Sequence, residues 1–559
     1  MAHTVSPFQR LKALLALERN DLFVAIIYSV AIGLLSLALP VATQSLVNTI
    51  ALGNLVQPLV VLTALVFLGL VLSGILQALR VWVVELLQRR VFVRVSSDTV
   101  NRLLRARSDA FEDHHAPELV NRFFDVVTLQ KSGATLLLDG LSVVTQALIG
   151  MTLLAFYHPW LLAFDVLLVI AILLIIYPIG AGAVRTSIEE SKAKYELVGW
   201  MQEVARHHVA FKSPPAAHLG IHRASDLVGQ YLHHRRAHFR ILLRQIVGSF
   251  GLTAIASATL LGGGGWLVMQ RELTLGQLVA AELVVGMVLT GFGKLGKHLE
   301  LYYDLAAALD KLGYLQDMPL EDSGTRPMPE SAKPAAVRLR NVWFAYGSQP
   351  AVFEGADWEV QPGEAVAIGG ALGRGKSTLL SLIYGLREPS LGAIQIDEAD
   401  QREVSREAWR QGIALVRGVQ IFAGTVEENV AFGRPDIRPE QVREALARVG
   451  LLEDILALPE GINTPLLTGG LPLSYGQASR LMLARAILAK PRLLLIDGTL
   501  DALSATPDFD VVAAMLMARG NPWTMVVTTQ DPRVMQHCHR SFLIDRGGLA
   551  PAPQMEKVQ

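Results

Sequence analysis

Apolar residues along this chain come in two arrangements. Up to about residue 315 they run in long unbroken blocks, and beyond it they shorten to strand-length runs between charged and turn residues. The blocks begin at Asp21, Leu55, Ala134, Trp160, Val247 and Leu275. Each supplies the roughly 20 residues that an α-helix needs to cross a bilayer. The stretches "LVQPLVVLTALVFLGLVLSGILQAL" and "WLLAFDVLLVIAILLIIYPIGAGAV" are apolar on every helical face. Burial in a water-soluble core accounts for them poorly, so the pattern predicts six membrane-spanning helices. The opening "MAHTVSPFQRLKALLALERN" lacks an apolar core followed by a small-residue cleavage site. It reads as a short amphipathic helix lying on the membrane surface.

Charge orients the spans. Basic residues are frequent from Arg80 to Lys131 and from Arg185 to Arg244, whereas "GNLVQ", "YHP" and "QRELT" contribute only Arg271. By the positive-inside rule the two long segments and both termini are cytoplasmic. Those segments are long enough for the helices to continue past the bilayer and turn back. Composition agrees: 51% of the 559 residues are apolar and 18% charged. The formal net charge of zero gives no electrostatic reason for a nucleic-acid partner. The single cysteine, Cys538, excludes an intramolecular disulfide. Residues 317–334, "DMPLEDSGTRPMPESAKP", read as a linker. The expected division is a surface helix over 1–20, a six-helix all-α transmembrane domain over 21–316, the linker, and an α/β domain over 335–559.

The last of these carries recognisable chemistry. A short apolar strand, Ala365 to Ile368, runs into "GGALGRGKST", in which Gly370, Gly375, Lys376 and Ser377 satisfy G-x-x-x-x-G-K-[ST]. Glycines in this pattern let backbone N–H groups converge on phosphate oxygens, and the following helix presents its positive end. Lys376 would reach the β- and γ-phosphates, and Ser377 would ligate magnesium. A second apolar run, "LLLID", ends in Asp497, a carboxylate placed for the same metal. The implied cofactors are ATP and magnesium.

Further stretches sharpen this reading. "NVWFAYGSQPAVFEGADWEVQPGEAVAI", "IFAGTVEENVAFGRP" and "LSYGQASRLMLARAIL" accompany the phosphate motif. Together with six spans they resemble an ATP-binding cassette (ABC) exporter half-transporter, in which a transmembrane domain precedes one P-loop nucleotide-binding domain. The resemblance covers essentially the whole chain. "FEDHHAPELVNRFFDVVTLQ" and "RELTLGQLVAAELVV" look like the type I secretion branch, without the N-terminal peptidase-like domain common there. The resemblance implies a plasma-membrane dimer, bacterial inner membrane in kind, with the cassette in the cytoplasm. Each ATP would lie between the cradle of one chain and the signature of the other. It implies Tyr346 as the adenine-stacking aromatic. ATP binding falls to Tyr346, Gly370, Gly373, Gly375, Lys376, Ser377 and Thr378. Ser474, Gly476 and Gln477 would serve the partner's ATP.

Several residues depart from the family pattern. Gly498 stands where a glutamate acts as general base, and Gln530 stands where a histidine holds the γ-phosphate. Arg417 replaces a glutamine that senses magnesium. Thr468 replaces an acidic coupling residue, Tyr475 the middle signature glycine, and "DALS" (501–504) the usual SALD. The groups that bind ATP remain while those that activate water are gone. A positioned general base contributes about 10²–10⁴-fold, so this site is expected to hold ATP and hydrolyse it poorly.

The selective loss favours pairing with a second, intact half-transporter over a homodimer. A periplasmic adaptor is a candidate further partner. The rival reading is an ATP-binding membrane regulator or scaffold that does not transport.

Other residues are weighed against ordinary roles. Glu282 and Asp165, with Asp139, fall in or beside the apolar blocks, where an ionised carboxylate is costly; they are transport-pathway candidates, the alternative for Asp139 and Asp165 being an interfacial position that water reaches. His537, Cys538 and His539 are adjacent in what reads as an extended stretch, which points them to opposite faces and argues against a shared metal. The pairs His114/His115, His207/His208 and His233/His234 read as solvated or interface residues. Gly262 to Gly265 reads as close helix packing or a turn.

Overall fold

The computed structural model describes residues 6–50, 56–111, 116–321, 324–329, 331–507, 509–545 and 547–552. His114 and His115 lie outside them, as does most of the "GNLVQ" connection. Contacts divide the chain into two compact units, Met1–Pro319 and Leu320–Gln559.

The first unit is helical. Six of its helices are long and apolar enough to cross a membrane among the described residues: Arg19–Thr49, Leu59–Arg105, Leu119–Tyr157, Pro159–Ile176, Pro214–Met269 and Leu275–Gly293. Their surfaces invert the rule for water-soluble proteins. Phe67 is 69% exposed and Phe156 84% exposed, while Leu154, Leu161, Leu260 and Val284 are buried where helices meet. Such an apolar exterior is stable only in lipid, which solvates it as well as a protein interior would. The helices Val56–Arg105 (50 residues) and Pro214–Met269 (56 residues) are unbroken. At about 1.5 Å per residue they reach roughly 75 and 84 Å, well beyond a hydrocarbon core of about 30 Å.

Helix ends follow local chemistry. Ser6 accepts from the Gln9 amide at 3.3 Å while the Gln9 side chain accepts from the Ser6 amide at 3.1 Å, and Pro7 opens the helix Pro7–Leu17. This helix is more than a surface float. Arg10 is buried, donates to Gln316 Oε1 at 3.1 Å and pairs with Asp317. His158 caps the helix Pro159–Ile176, accepting from the Trp160 amide at 3.1 Å. Its other nitrogen lies 3.1 Å from Glu272 Oε2, so the "YHP" and "QRELT" connections meet at one end of the unit. Gly262 to Gly265 continue an unbroken helix rather than forming a turn; a Cβ at Gly263 would run into the Trp160 ring. His207 and His208 are exposed, and His233 and His234 pack ring edge to face.

The second unit holds a six-stranded sheet in the order Gly548–Pro551, Arg540–Asp545, Ala365–Gly369, Thr524–Thr528, Leu493–Asp497, Ile413–Arg417. All neighbours pair in parallel except the first two strands. Helices cover both faces, which is why Leu493 to Ile496 read as a continuous apolar run and are fully buried. A smaller antiparallel sheet carries Val337–Ala345 and Ala351–Val360. His537 ends the helix Pro532–His537, so the extended conformation expected for this residue is not found. The three side chains take separate partners: His537 lies 3.2 Å from Asp510, Cys538 faces the sulfur of Met517, and His539 Nδ1 accepts from the Ala365 amide.

Candidate functional site

The candidate phosphate cradle is set by its backbone. The buried strand Ala365–Gly369 turns through residues 370–375 into the helix Lys376–Tyr384. Gly370, Gly373 and Gly375 have φ of 133°, 78° and 100°, values that side-chain-bearing residues rarely adopt. A Cβ at Gly375 would also collide with Val352. The loop therefore curls tightly enough to aim backbone N–H groups at an anion, next to the positive end of the helix. Lys376 Nζ donates to the carbonyls of Gly370 (2.6 Å) and Ala371 (3.0 Å) and so spans the mouth of the loop. Partial burial lowers its pKa, and Asp501 and Asp497 act against that. The Tyr346 hydroxyl lies 2.9 Å from Thr378 Oγ1. Phe344 packs edge-on against the Tyr346 ring, and the Arg387 guanidinium lies 4.5 Å from its centroid.

Strand register builds the rest of the site. Asp497 is level with Thr528 on one neighbouring strand and with Arg417 on the other. Its Oδ1 accepts from Ser377 Oγ at 2.9 Å and from Thr528 Oγ1 at 2.7 Å. Its Oδ2 accepts from Arg417 Nε at 2.7 Å, and Arg417 Nη2 donates to the Ser377 carbonyl at 2.7 Å. Gly498 follows at φ 65°, and its amide donates to Thr528 at 3.1 Å. The Gln530 side chain is exposed, while its amide donates to Asp501 Oδ2 at 3.0 Å. Thr529 Oγ1 also donates to Asp501. The relocated aspartate of "DALS" thus clasps residues 529 and 530 of its own chain. Sequence reasoning did not find this clasp, the role of Thr528 or the Arg417–Asp497 pair. All three depend on which strand ends lie side by side.

The signature residues sit at a helix start. Ser474 caps the helix Tyr475–Leu488, accepting from the Gln477 amide at 3.3 Å while the Gln477 side chain accepts from the Ser474 amide at 2.9 Å. Gly476 has nothing within reach of a Cβ, and Tyr475 stands 63% exposed beside it. The same helix is tied to the segment before it by Arg485, which donates to the carbonyls of Asn429 (2.6 Å) and Gln420 (2.9 Å).

The membrane carboxylates separate into two places. Glu282 and Asp139 line one cavity of about 550 Å³, with Ser142, Gln146, Lys294 and His298. Glu282 Oε1 is buried without a hydrogen-bond partner among the described residues. Asp165 does not line that cavity. It is 4% exposed, with neither carboxylate oxygen hydrogen-bonded among the described residues. Arg80, read from sequence only as part of a basic segment, is buried between helices and donates to Ser29 Oγ at 3.1 Å and to Ser142.

Comparison with known proteins gives consistent matches. Residues 353–500 match the family described as ABC transporter, and residues 22–206 match the ABC transporter transmembrane region. A multidrug efflux ATP-binding/permease protein of Mycobacterium tuberculosis is 31% identical over 324 residues, 58% of this chain and 26% of that one. A mycobactin import ATP-binding/permease protein of Mycolicibacterium thermoresistibile is 31% identical over 317 residues, 56% of this chain and 54% of its own. The matched stretches thus span about half or less of these relatives' lengths. A bacterial Atm1-family ABC exporter solved with ATP bound superposes with a TM-score of 0.84 at 21% identity, covering 96% of this chain and 95% of that one. At that identity the likeness is one of fold.

Proposed function

We propose that this chain is an ABC half-transporter, with the transmembrane region and the ATP-binding domain on one polypeptide, whose own site holds ATP and hydrolyses it poorly. One contrast carries this reading. The cradle keeps its strained glycines and Lys376, while Gly498 puts no side chain beside Asp497 and Gln530 stands for the histidine. Nothing at those positions can take a proton from water.

The working unit in this reading is a heterodimer. Ser474, Gly476 and Gln477 serve ATP bound to a partner with its glutamate and histidine intact. Hydrolysis there drives the export of an amphipathic substrate. The cavity holding Glu282, Asp139, Lys294 and His298 beside Val143, Leu283 and Met287 suits such a molecule. The relatives' names cover both efflux and import, so the exporter direction rests on the family resemblance of the chain. The secretion-like segments support a periplasmic adaptor as a further partner. Tyr475 and the Asp501 clasp favour the rival scaffold reading, since both bear on the site that must stay active.

Recovery of the tagged chain from its native membrane tests the pairing. A co-purifying half-transporter with glutamate and histidine in place is expected. Recovery of this chain alone, in homodimers, would favour the scaffold. Orientation is tested by single-cysteine labelling in a background lacking Cys538. A membrane-impermeant outside reagent is expected to reach His158→Cys and not Arg105→Cys or Arg236→Cys. The reverse pattern would overturn the topology.

A further inference from the structure

The nucleotide site contains a cation of its own at the position where the metal is expected. Magnesium takes oxygen ligands at about 2.0–2.1 Å in near-octahedral geometry. In this fold its protein side would come from Ser377 and Asp497. Here those two residues are already engaged. Arg417 Nε donates to Asp497 Oδ2 and Arg417 Nη2 to the Ser377 carbonyl, both at 2.7 Å. The other carboxylate oxygen accepts from Ser377 Oγ at 2.9 Å and Thr528 Oγ1 at 2.7 Å. A divalent ion on Asp497 would have to displace the guanidinium or lie within a few ångströms of it, and like charges in a partly desolvated site repel strongly. The residues present therefore do not fit the metal.

We propose that the Arg417 guanidinium takes the place of magnesium, so that this chain's cradle binds ATP without a divalent cation. The inference rests on the reading of the cradle as an ATP site. The placement of Arg417 is architectural. Residues Ile413–Arg417 and Leu493–Asp497 are paired parallel strands, with Arg417 level with Asp497. The Arg417 side chain is 31% exposed and that of Asp497 9%. A guanidinium is a planar fork that can hold a carboxylate on one edge and phosphate oxygens with its remaining N–H groups. Lys376 spans the loop mouth through carbonyl contacts that a phosphate can replace. Two fixed unit charges then face the triphosphate, where a family member with a bound metal has a lysine and a divalent ion.

Equilibrium binding of radiolabelled ATP to the full-length chain in lipid nanodiscs, in excess EDTA and in excess magnesium, decides the matter. For the wild type the two affinities are expected to agree within about threefold, a difference under 1 kcal/mol. Arg417→Gln is expected to lose about tenfold or more in EDTA and to recover with magnesium. A wild-type loss of about tenfold or more in EDTA would overturn the substitution of arginine for metal while leaving the ATP site standing. So would an Arg417→Gln variant with wild-type indifference to magnesium. Failure to bind ATP under either condition would remove the ATP site and this inference together. If Arg417→Gln does not fold, the two wild-type measurements still decide.

Discussion

Co-purified with a half-transporter that retains the glutamate and the histidine, the chain is expected to support ATP turnover that depends on the two halves unequally. Ser474→Arg here is expected to abolish it, a loss of at least about 100-fold, because the partner's ATP is closed by this chain's signature helix and the new side chain fills that gap. Ser474 also caps the helix Tyr475–Leu488. Losing a cap costs about 0.5–2 kcal/mol of helix stability, which a folded, membrane-inserted variant survives. Lys376→Ala is expected to reduce turnover only severalfold, since in the proposed heterodimer the site it damages is not the one that hydrolyses. ATPase assays on the two variant pairs check this asymmetry. Equal losses would mean that both sites turn over, or that closure of one gates the other completely.

Nucleotide affinity is expected to separate Lys376 from Gly498 just as clearly. Lys376→Ala removes a charged donor from the phosphates. Bonds to charged groups contribute about 1.5–3 kcal/mol, so ATP binding is expected to fall by roughly ten- to a hundredfold. Gly498→Gln adds a side chain that touches no phosphate and is expected to leave affinity within about threefold. Its cost falls elsewhere. Gly498 adopts φ 65°, where a side-chain-bearing residue is strained by about 1–2 kcal/mol. The variant is therefore expected to unfold at a lower temperature while binding ATP normally. For the same reason Gly498→Glu alone is not expected to restore hydrolysis. A glutamate would have to take the left-handed backbone of Gly498 under strain, and Arg417 still holds Asp497. Equal losses of affinity in Lys376→Ala and Gly498→Gln would contradict the division between binding and hydrolytic groups.

The spans were legible because lipid leaves long apolar runs in plain sight, and no packing detail is needed to read them. The tight turn from strand to helix at 370–375 was legible because glycines at that spacing permit few other shapes, and Gly370, Gly373 and Gly375 take left-handed backbone there. Asp497 was legible because a doubly buried parallel strand is written as an apolar run that ends where the polar site begins. What lay outside reach was contact between distant segments. Arg417 stood in the sequence as a replaced residue with no partner, and only the pairing of its strand with Leu493–Asp497 brings it onto the carboxylate. Asp501 read as a displaced aspartate, and its grip on Thr529 and Gln530 depends on a turn that periodicity does not encode. Arg10 and Arg80 read as surface and cytoplasmic charges. Each is buried because a distant helix brings polar atoms to it, Gln316 and Asp317 for one and Ser29 and Ser142 for the other. His537 read as extended because three adjacent polar residues carry no helical signal at the end of a six-residue helix.

Whether this chain keeps ATP without consuming it is read from the fate of the bound nucleotide. The purified full-length chain, alone and loaded with radiolabelled ATP, is held through a time course, then denatured and its nucleotide separated by chromatography. The bound label is expected to be recovered as ATP, and Lys376→Ala is expected to retain far less label. ADP accumulating over the time course, at a rate that Lys376→Ala abolishes, would contradict the account and mean that a residue other than the missing glutamate activates water.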